Sequence, residues 1–271
     1  MSVINPSDIV STSHHIVSIR DGKVYKKPRN DTPEALSEIL QDYEYLKLIG
    51  YEVEFENNTL IMPFIGQPLD TMEPDMEELL KAIEHAQKSL PLPPLKKSKL
   101  GKEIYSITKQ KIKERLPEND HELKNQTKAA MKAAKRILNK KIPQVISHTD
   151  THSKNFLKDE NGRIHLIDWE SSVAGLPEFD LATLHVYLAR EAEEGIITRE
   201  QADNAYEKHI KPLIKDQEAY DSFFVFKIIR NLSWVYVFDD VKKYEYLVQL
   251  INDVMAPYIQ EHKANKDERT I

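Results

Sequence analysis

The stretch His148-Thr149-Asp150-Thr151-His152-Ser153-Lys154-Asn155 gathers side chains that can do chemistry, and Ile167-Asp168-Trp169-Glu170 follows it closely. Between them lie two short β-like runs, 155–158 and 163–168, with Asn161-Gly162 at the turn. Asn-Gly favours a tight hairpin because both residues tolerate positive φ. A hairpin returns the chain near its start, so Asn155 and Asp168 are expected to lie together. Two oxygen-bearing side chains there suit Mg²⁺, which takes hard oxygen ligands and keeps some water. Asp150, on the loop entering the hairpin, can then serve as base or orienting group for an incoming hydroxyl. Metal clamps on phosphates and a carboxylate that positions the nucleophile are what γ-phosphoryl transfer requires. Taken singly, an Asp or Asn in a loop is ordinarily a turn former or helix cap; the spaced set carries the argument. His148-x-Asp150-x-His152 also allows a hydrolase metal site, but no other His/Asp cluster completes one.

The elements that must position these residues are legible in outline. Runs at 16–20 and 23–27 flank Asp21-Gly22, a hairpin signal, and Pro28 stops the second. Asp31 with Glu34 reads as a capping box opening a helix, with Pro33 where a missing N–H does no harm. Leu36, Ile39, Leu40, Tyr43, Leu46 and Ile49 form its apolar face, and Gly50 is its C′ residue. Strands are expected at 51–55 and 59–64 around Asn57-Asn58. Residues 1–67 therefore read as a small β-rich lobe with one helix. Residues 68–271 read as a larger helical lobe interrupted by the hairpin, with helices over 75–90, 99–116, 121–139, 220–240 and 246–260 and a cap at Thr198 with Gln201. The fold class is α+β.

Composition narrows the field. The chain has 271 residues and 31.5 kDa, 40% apolar and 30% charged, enough for a core and a well-solvated surface. It contains no cysteine, which excludes disulfides, thiolate zinc sites and a cysteine nucleophile. A net charge of −6 and a pI near 6.0 argue against an electrostatic nucleic-acid binder. No apolar run approaches the roughly 20 residues of a membrane span, and the N-terminus lacks a signal-peptide layout. The expectation is a cytoplasmic protein without nucleic-acid or membrane partners.

His-x-Asp-x-x-x-x-Asn followed by Ile-Asp-Trp-Glu resembles the aminoglycoside phosphotransferase and choline kinase family, whose fold is bilobal and protein-kinase-like. The resemblance implies that Asp150 is the catalytic aspartate, that Asn155 and Asp168 are metal ligands, and that His148 shapes the loop. Thr149 stands where the family commonly has Gly. Glu178-Phe179-Asp180-Leu181-Ala182 is similar to the family's Asp-Leu-Ala segment, which makes Asp180 a structural brace. Val24-Tyr25-Lys26-Lys27-Pro28 resembles the strand with the phosphate-gripping lysine. Lys26 aligns best, with Lys27 the alternative. Its acidic partner is expected at Asp42, ahead of Glu38 and Glu44. Leu60-Ile61-Met62-Pro63-Phe64-Ile65-Gly66-Gln67-Pro68-Leu69 resembles the adenine-binding hinge, with Met62 as gatekeeper, the Pro63 C=O as acceptor and the Ile65 N–H as donor. The departure is the phosphate loop: Ser11-Thr12-Ser13-His14-His15 replaces a Gly-x-Gly, and Ser13 is the candidate phosphate contact.

The resemblance implies an ATP- and Mg²⁺-dependent kinase acting on a small-molecule hydroxyl, of an aminoglycoside, amino alcohol or sugar-like acceptor. The alternatives are a nucleotide-binding module of this fold without turnover, and a protein kinase. The latter is disfavoured because no activation segment ending in Ala-Pro-Glu follows Asp168. Trp169, Trp234, Tyr236 and Phe238 could form a cage for a quaternary ammonium, but aromatics at this density on helices are more commonly core. Asp221, Asp239, Asp240 and Glu245 could hold a polycation, or form a solvated surface.

Overall fold

In the computed structural model the described residues are 9–11, 15–91 and 145–235, with isolated helical positions at 110, 125, 128, 132, 249–250 and 253–254. Ser13, Tyr236, Phe238, Asp239, Asp240 and Glu245 lie outside them, as do almost all of the helices expected over 99–116, 121–139 and 246–260. Packing divides the chain into two compact units, Met1–Leu92 with Val145–Val173, and Pro93–Gln144 with Ala174–Ile271. The division expected at 67/68 differs from this grouping, in which the helix over 76–89 and the segment Val145–Val173 fall with the N-terminal residues.

That sheet has five antiparallel strands in the order β1-β2-β3-β5-β4. They are β1 (Ile9–Ser11), β2 (His15–Arg20), β3 (Lys23–Pro28), β4 (Glu54–Glu56) and β5 (Thr59–Pro63). Asp21 and Gly22 both have positive φ, 52° and 70°, as the turn between β2 and β3 requires. Asn57 and Asn58, at 49° and 59°, do the same between β4 and β5. The strand expected over 51–55 forms at Glu54–Glu56, without residues 51–53. Strand β1 is an addition: Ser11 ends a strand paired with β2 through Ser11↔Ile16, so Ser11 and His15, the two ends of the stretch expected as a loop, both lie in strands.

Helix α1 (Pro33–Ile49) crosses this unit and buries Ile39, Asp42 and Leu46. Its N-cap is Thr32, whose Oγ1 accepts from the Ala35 N–H at 3.3 Å, not Asp31 as the capping-box spacing suggested. Gly50 closes the helix at φ 103°. Helix α2 (Met76–Ser89) buries Met76, Leu79, Ile83 and Ala86. Strands β6 (Gln67–Pro68), β8 (Phe156–Lys158) and β9 (Ile164–Leu166) form a second small sheet, and β7 (Val145–Ser147) precedes them. Gly66 is required at the entry to β6: a Cβ there would lie 2.1 Å from the Lys158 carbonyl oxygen.

In the second unit, helix α3 (Pro177–Glu193) is buried along almost its whole circumference and packs on α5 (Gln217–Val235). Between them, α4 (Arg199–Ala205) starts at the Thr198–Gln201 capping box that the sequence indicated. His185 stacks between Tyr206 and Phe224, with ring centroids at 4.2 and 4.4 Å. No helix among the described residues is long and apolar enough to cross a membrane.

Candidate active site

Strand alternation decides which lysine meets the helix. The pairings Val17↔Lys26 and Lys26↔Leu60 put Val17, Lys26 and Leu60 on one face of the sheet, with Val24↔Met62 continuing it. Lys27 points to the other face and is exposed. On the inner face Lys26 Nζ donates to Asp42 Oδ2 at 3.1 Å, Glu170 Oε2 at 2.7 Å and Asp168 Oδ1 at 2.5 Å. Burial works to lower the Lys26 pKa, but Asp42, Asp168 and Glu170 outweigh it and hold it well above the usual lysine value. Burial raises Asp42, against the pull of Lys26. Asp168 is also penalised by burial, yet Lys26 draws it below the usual carboxylate value. Glu170 is pushed up to about 7 by burial, with Asp168 and Asp42 adding to the rise. Three carboxylates around one ammonium leave an excess of negative charge, an environment that favours a divalent cation.

Asp42 is short, and the shortness has a use. Its Oδ1 accepts the Trp169 N–H at 2.9 Å while Oδ2 holds Lys26, so one buried carboxylate joins strand, helix and the turn after Asp168. Beside it Gln41 Nε2 donates to the Trp169 carbonyl at 3.0 Å and to Ser172 Oγ at 2.9 Å. These neighbours on α1 clamp the segment that carries Asp168, itself in the left-handed region at φ 68°. Sequence reasoning missed Gln41 and Glu170; the Glu of Ile-Asp-Trp-Glu was the only available signal for either.

The loop over 148–155 is held by local bonds. His148 is fully buried; its Nε2 donates to the Ile167 carbonyl at 2.8 Å and its Nδ1 accepts the Asp150 N–H at 3.3 Å. Both ring nitrogens are thereby committed, which removes His148 from any metal site. Thr149, where the family has Gly, has φ 68°, an uncommon conformation for a β-branched residue. Its hydroxyl donates to the Ser171 carbonyl at 2.8 Å, an anchor that glycine lacks. Asn155 Nδ2 donates to the Asp150 carbonyl at 2.9 Å, which commits the nitrogen and leaves Oδ1 as the atom that could hold a metal. The Ile167 N–H donates to the Asn155 carbonyl at 3.0 Å, so the hairpin closes as the Asn-Gly turn implied. The Asp150 side chain is 36% exposed, with His152 Nε2 at 3.5 Å.

A pocket of about 240 Å³ opens beside this cluster, lined by His15, Val17, Val24, Lys26, Asp42, Leu46, Leu60, Met62, Ile167, Asp168 and Glu170. Its sheet side is apolar and its far end charged, as a purine with a polyphosphate requires. Past Met62, the Phe64 N–H donates to the Gly22 carbonyl at 2.8 Å. Among the described residues no hydrogen bond uses the Ile65 N–H.

Trp169 and Asp221 take the plainer of their two readings. Trp169 is no wall of an open cage: it is 1% exposed, 4.7 Å edge-on to His148, with its Nε1–H donating to Leu166 O at 3.2 Å. Its bulk is core beneath the turn. Asp221 accepts from Gln217 Nε2 at 2.7 Å on the surface of α5. Asp180 is buried in the first turn of α3, in the other unit from Asp150, Asn155 and Asp168.

No curated protein matches the chain. Among solved structures, choline kinase LicA from Streptococcus pneumoniae superposes with a TM-score of 0.62 at 16% identity, over 93% of this chain and 94% of that one. A choline/ethanolamine kinase family protein from Mesorhizobium loti gives 0.59 at 17% identity, over 93% and 87%. A thermostable mutant of aminoglycoside phosphotransferase APH(4)-Ia, in a ternary complex with AMP-PNP and hygromycin B, gives 0.60 at 15% identity, over 94% of each chain. At these identities the likeness is one of fold, and the fold is protein-kinase-like. Residues 67–213 match the phosphotransferase enzyme family, a span that includes both the Asp150 loop and the Asp168 turn and covers more than half of the 271 residues. The chain belongs to the phosphotransferase enzyme family.

Proposed function

We propose that this protein transfers the γ-phosphoryl group of ATP to a hydroxyl of a small molecule, of the aminoglycoside, amino alcohol or sugar-like class. The observation that carries the reading is the convergence of Lys26, Asp42 and Asp168 at one end of a pocket with apolar walls. The fold neighbours lend support, since they include a choline kinase and a complex with AMP-PNP and hygromycin B.

In this reading the adenine lies against Val17, Val24 and Met62, with the Pro63 carbonyl and the Ile65 N–H as its hydrogen-bonding pair. Proline at that position forgoes only an N–H that the base does not use. Lys26 grips the α/β phosphates, and Asp42 holds the lysine in place. Asn155 and Asp168 would hold Mg²⁺; they fit it, because both offer hard oxygen ligands and the hairpin brings the Asn155 backbone to the segment that carries Asp168. The metal, when bound, neutralises charge on the phosphate oxygens. Asp150 accepts the proton of the acceptor hydroxyl as it attacks. His148 keeps the loop in shape.

The test is transfer of labelled phosphate from ATP, with Mg²⁺, to a panel of aminoglycosides, amino alcohols and sugars. Label on at least one hydroxyl is expected. Nucleotide binding without transfer to any of them would favour the module without turnover. The metal assignment predicts that ATP raises the melting temperature clearly with Mg²⁺ and only modestly in EDTA.

A further inference from the structure

His15 opens β2 and closes the stretch Ser11-Thr12-Ser13-His14-His15, which holds no Gly-x-Gly. It is 2% exposed, lies on the same face as Val17 and Lys26, and lines the same pocket. Its Nδ1 is 3.2 Å from Glu170 Oε2, and its Nε2 is 3.9 Å from Glu38 Oε2. Glu170 Oε2 is also the atom that accepts from Lys26 at 2.7 Å. A single carboxylate oxygen is thus held between an imidazole on β2 and an ammonium on β3, while Asp42 holds that ammonium from the helix side. Remove the imidazole, and Glu170 keeps its hold on Lys26 but loses its own fixed point on β2.

We propose that His15 is a positioning residue of the nucleotide site: it fixes the Glu170 carboxylate, which in turn sets where Lys26 meets the nucleotide's phosphates. This rests on the nucleotide-binding reading above and assigns a side-chain relay to a place where a glycine-rich loop would use backbone N–H groups. Because the relay ends on Lys26, its loss is felt by phosphates and not by the adenine–ribose end.

The experiment compares ADP and adenosine binding, both with Mg²⁺, by calorimetry on the full chain carrying His15→Ala, His15→Gln, Glu170→Gln, the His15→Ala/Glu170→Gln double change, or Lys26→Ala. His15→Ala should weaken ADP by about tenfold, the scale of losing a residue that orients a charged ligand group, and leave adenosine unchanged. His15→Gln, whose amide N–H can still reach Glu170, should recover part of the loss. The double variant should be no weaker for ADP than Glu170→Gln alone, the non-additivity of residues acting through one another. Equal loss of adenosine and ADP in both His15 variants would make His15 a packing residue and overturn the proposal, as would additive losses in the double variant. Lys26→Ala separates the two levels: unchanged ADP affinity in that variant would overturn the nucleotide reading itself, whatever His15 does.

Discussion

Lys26 and Asp168 meet although 142 residues separate them, and Lys26 and Glu170 although 144 do. On the loop that carries Asp150, by contrast, Asn155 reaches the Asp150 carbonyl across five residues, and His148 reaches Ile167 across nineteen. The Lys26–Asp42 pair is also less exposed than the loop carboxylate, 13% and 3% against 36% for Asp150, while Asp168 at 35% opens to solvent as Asp150 does. The charged cluster is assembled by the tertiary fold and held shut by ion pairs. The loop is pinned through its backbone and through His148, and its carboxylate stays open to solvent. A group that grips a nucleotide benefits from burial, where charge interactions strengthen. A group that must meet an exchanging acceptor has to remain accessible.

Lys26→Ala breaks the charged side of this comparison most severely. It leaves Asp42, Asp168 and Glu170 together without their ammonium, and ATP affinity should fall by tenfold or more, the scale of losing a charge-assisted contact. Lys27→Ala, on the exposed face of the same strand, should leave ATP affinity near wild type. Titration with ATP and Mg²⁺ checks both; the reverse ranking would mean that the strand face has been assigned wrongly.

Gly66→Ala probes the scaffold under both regions. The added methyl meets a backbone carbonyl of β8, which cannot yield as a flexible side chain would. Forced overpacking of this kind costs about 1–3 kcal/mol, so the melting temperature should fall. An unchanged melting temperature would show that the β6–β8 approach is looser than the structure has it.

The smallest effect is expected in the second unit. Burial pushes the His185 pKa down to about 3, and its Nδ1 accepts from the Tyr220 hydroxyl at 2.7 Å. An unfolded histidine takes up a proton near pH 6.5, so the folded form binds fewer protons below that point. The associated stability is present above about pH 6.5 and is lost as the pH falls toward 3, by about 1.4 kcal/mol per unit. His185→Phe should flatten the fall in melting temperature between pH 6.5 and 4.5, while Lys27→Ala keeps the wild-type slope. Equal slopes for His185→Phe and wild type would mean that His185 does not stay neutral inside the fold.

Where the chain is governed by local rules, the sequence was readable. Asp21-Gly22, Asn57-Asn58 and Asn161-Gly162 announced their turns; alternation put Val24 and Lys26 on one face, and the family resemblance preferred Lys26 to Lys27. Helix phase placed Asp42 at the lysine, and the hairpin brought the Asn155 backbone to the segment bearing Asp168. The misses have physical reasons. Thr32 and Asp31 are both good caps, and only the geometry of entry chooses between neighbours. Strand β1 has three residues, too few for a period to show. Gln41 and His15 carry no motif, because each acts through a contact with the Trp169–Ser172 segment that exists only once the chain has folded.

Asp150→Asn tests the central claim most directly. The change keeps size and shape and removes the charge, without touching Lys26, Asp168 or the pocket walls. Phosphoryl transfer from ATP to the accepted hydroxyl should fall by on the order of a hundredfold or more, mainly in kcat, while ATP binding and melting temperature stay near wild type. Full transfer activity in this variant, or a parallel loss of ATP binding and thermal stability, would contradict the account.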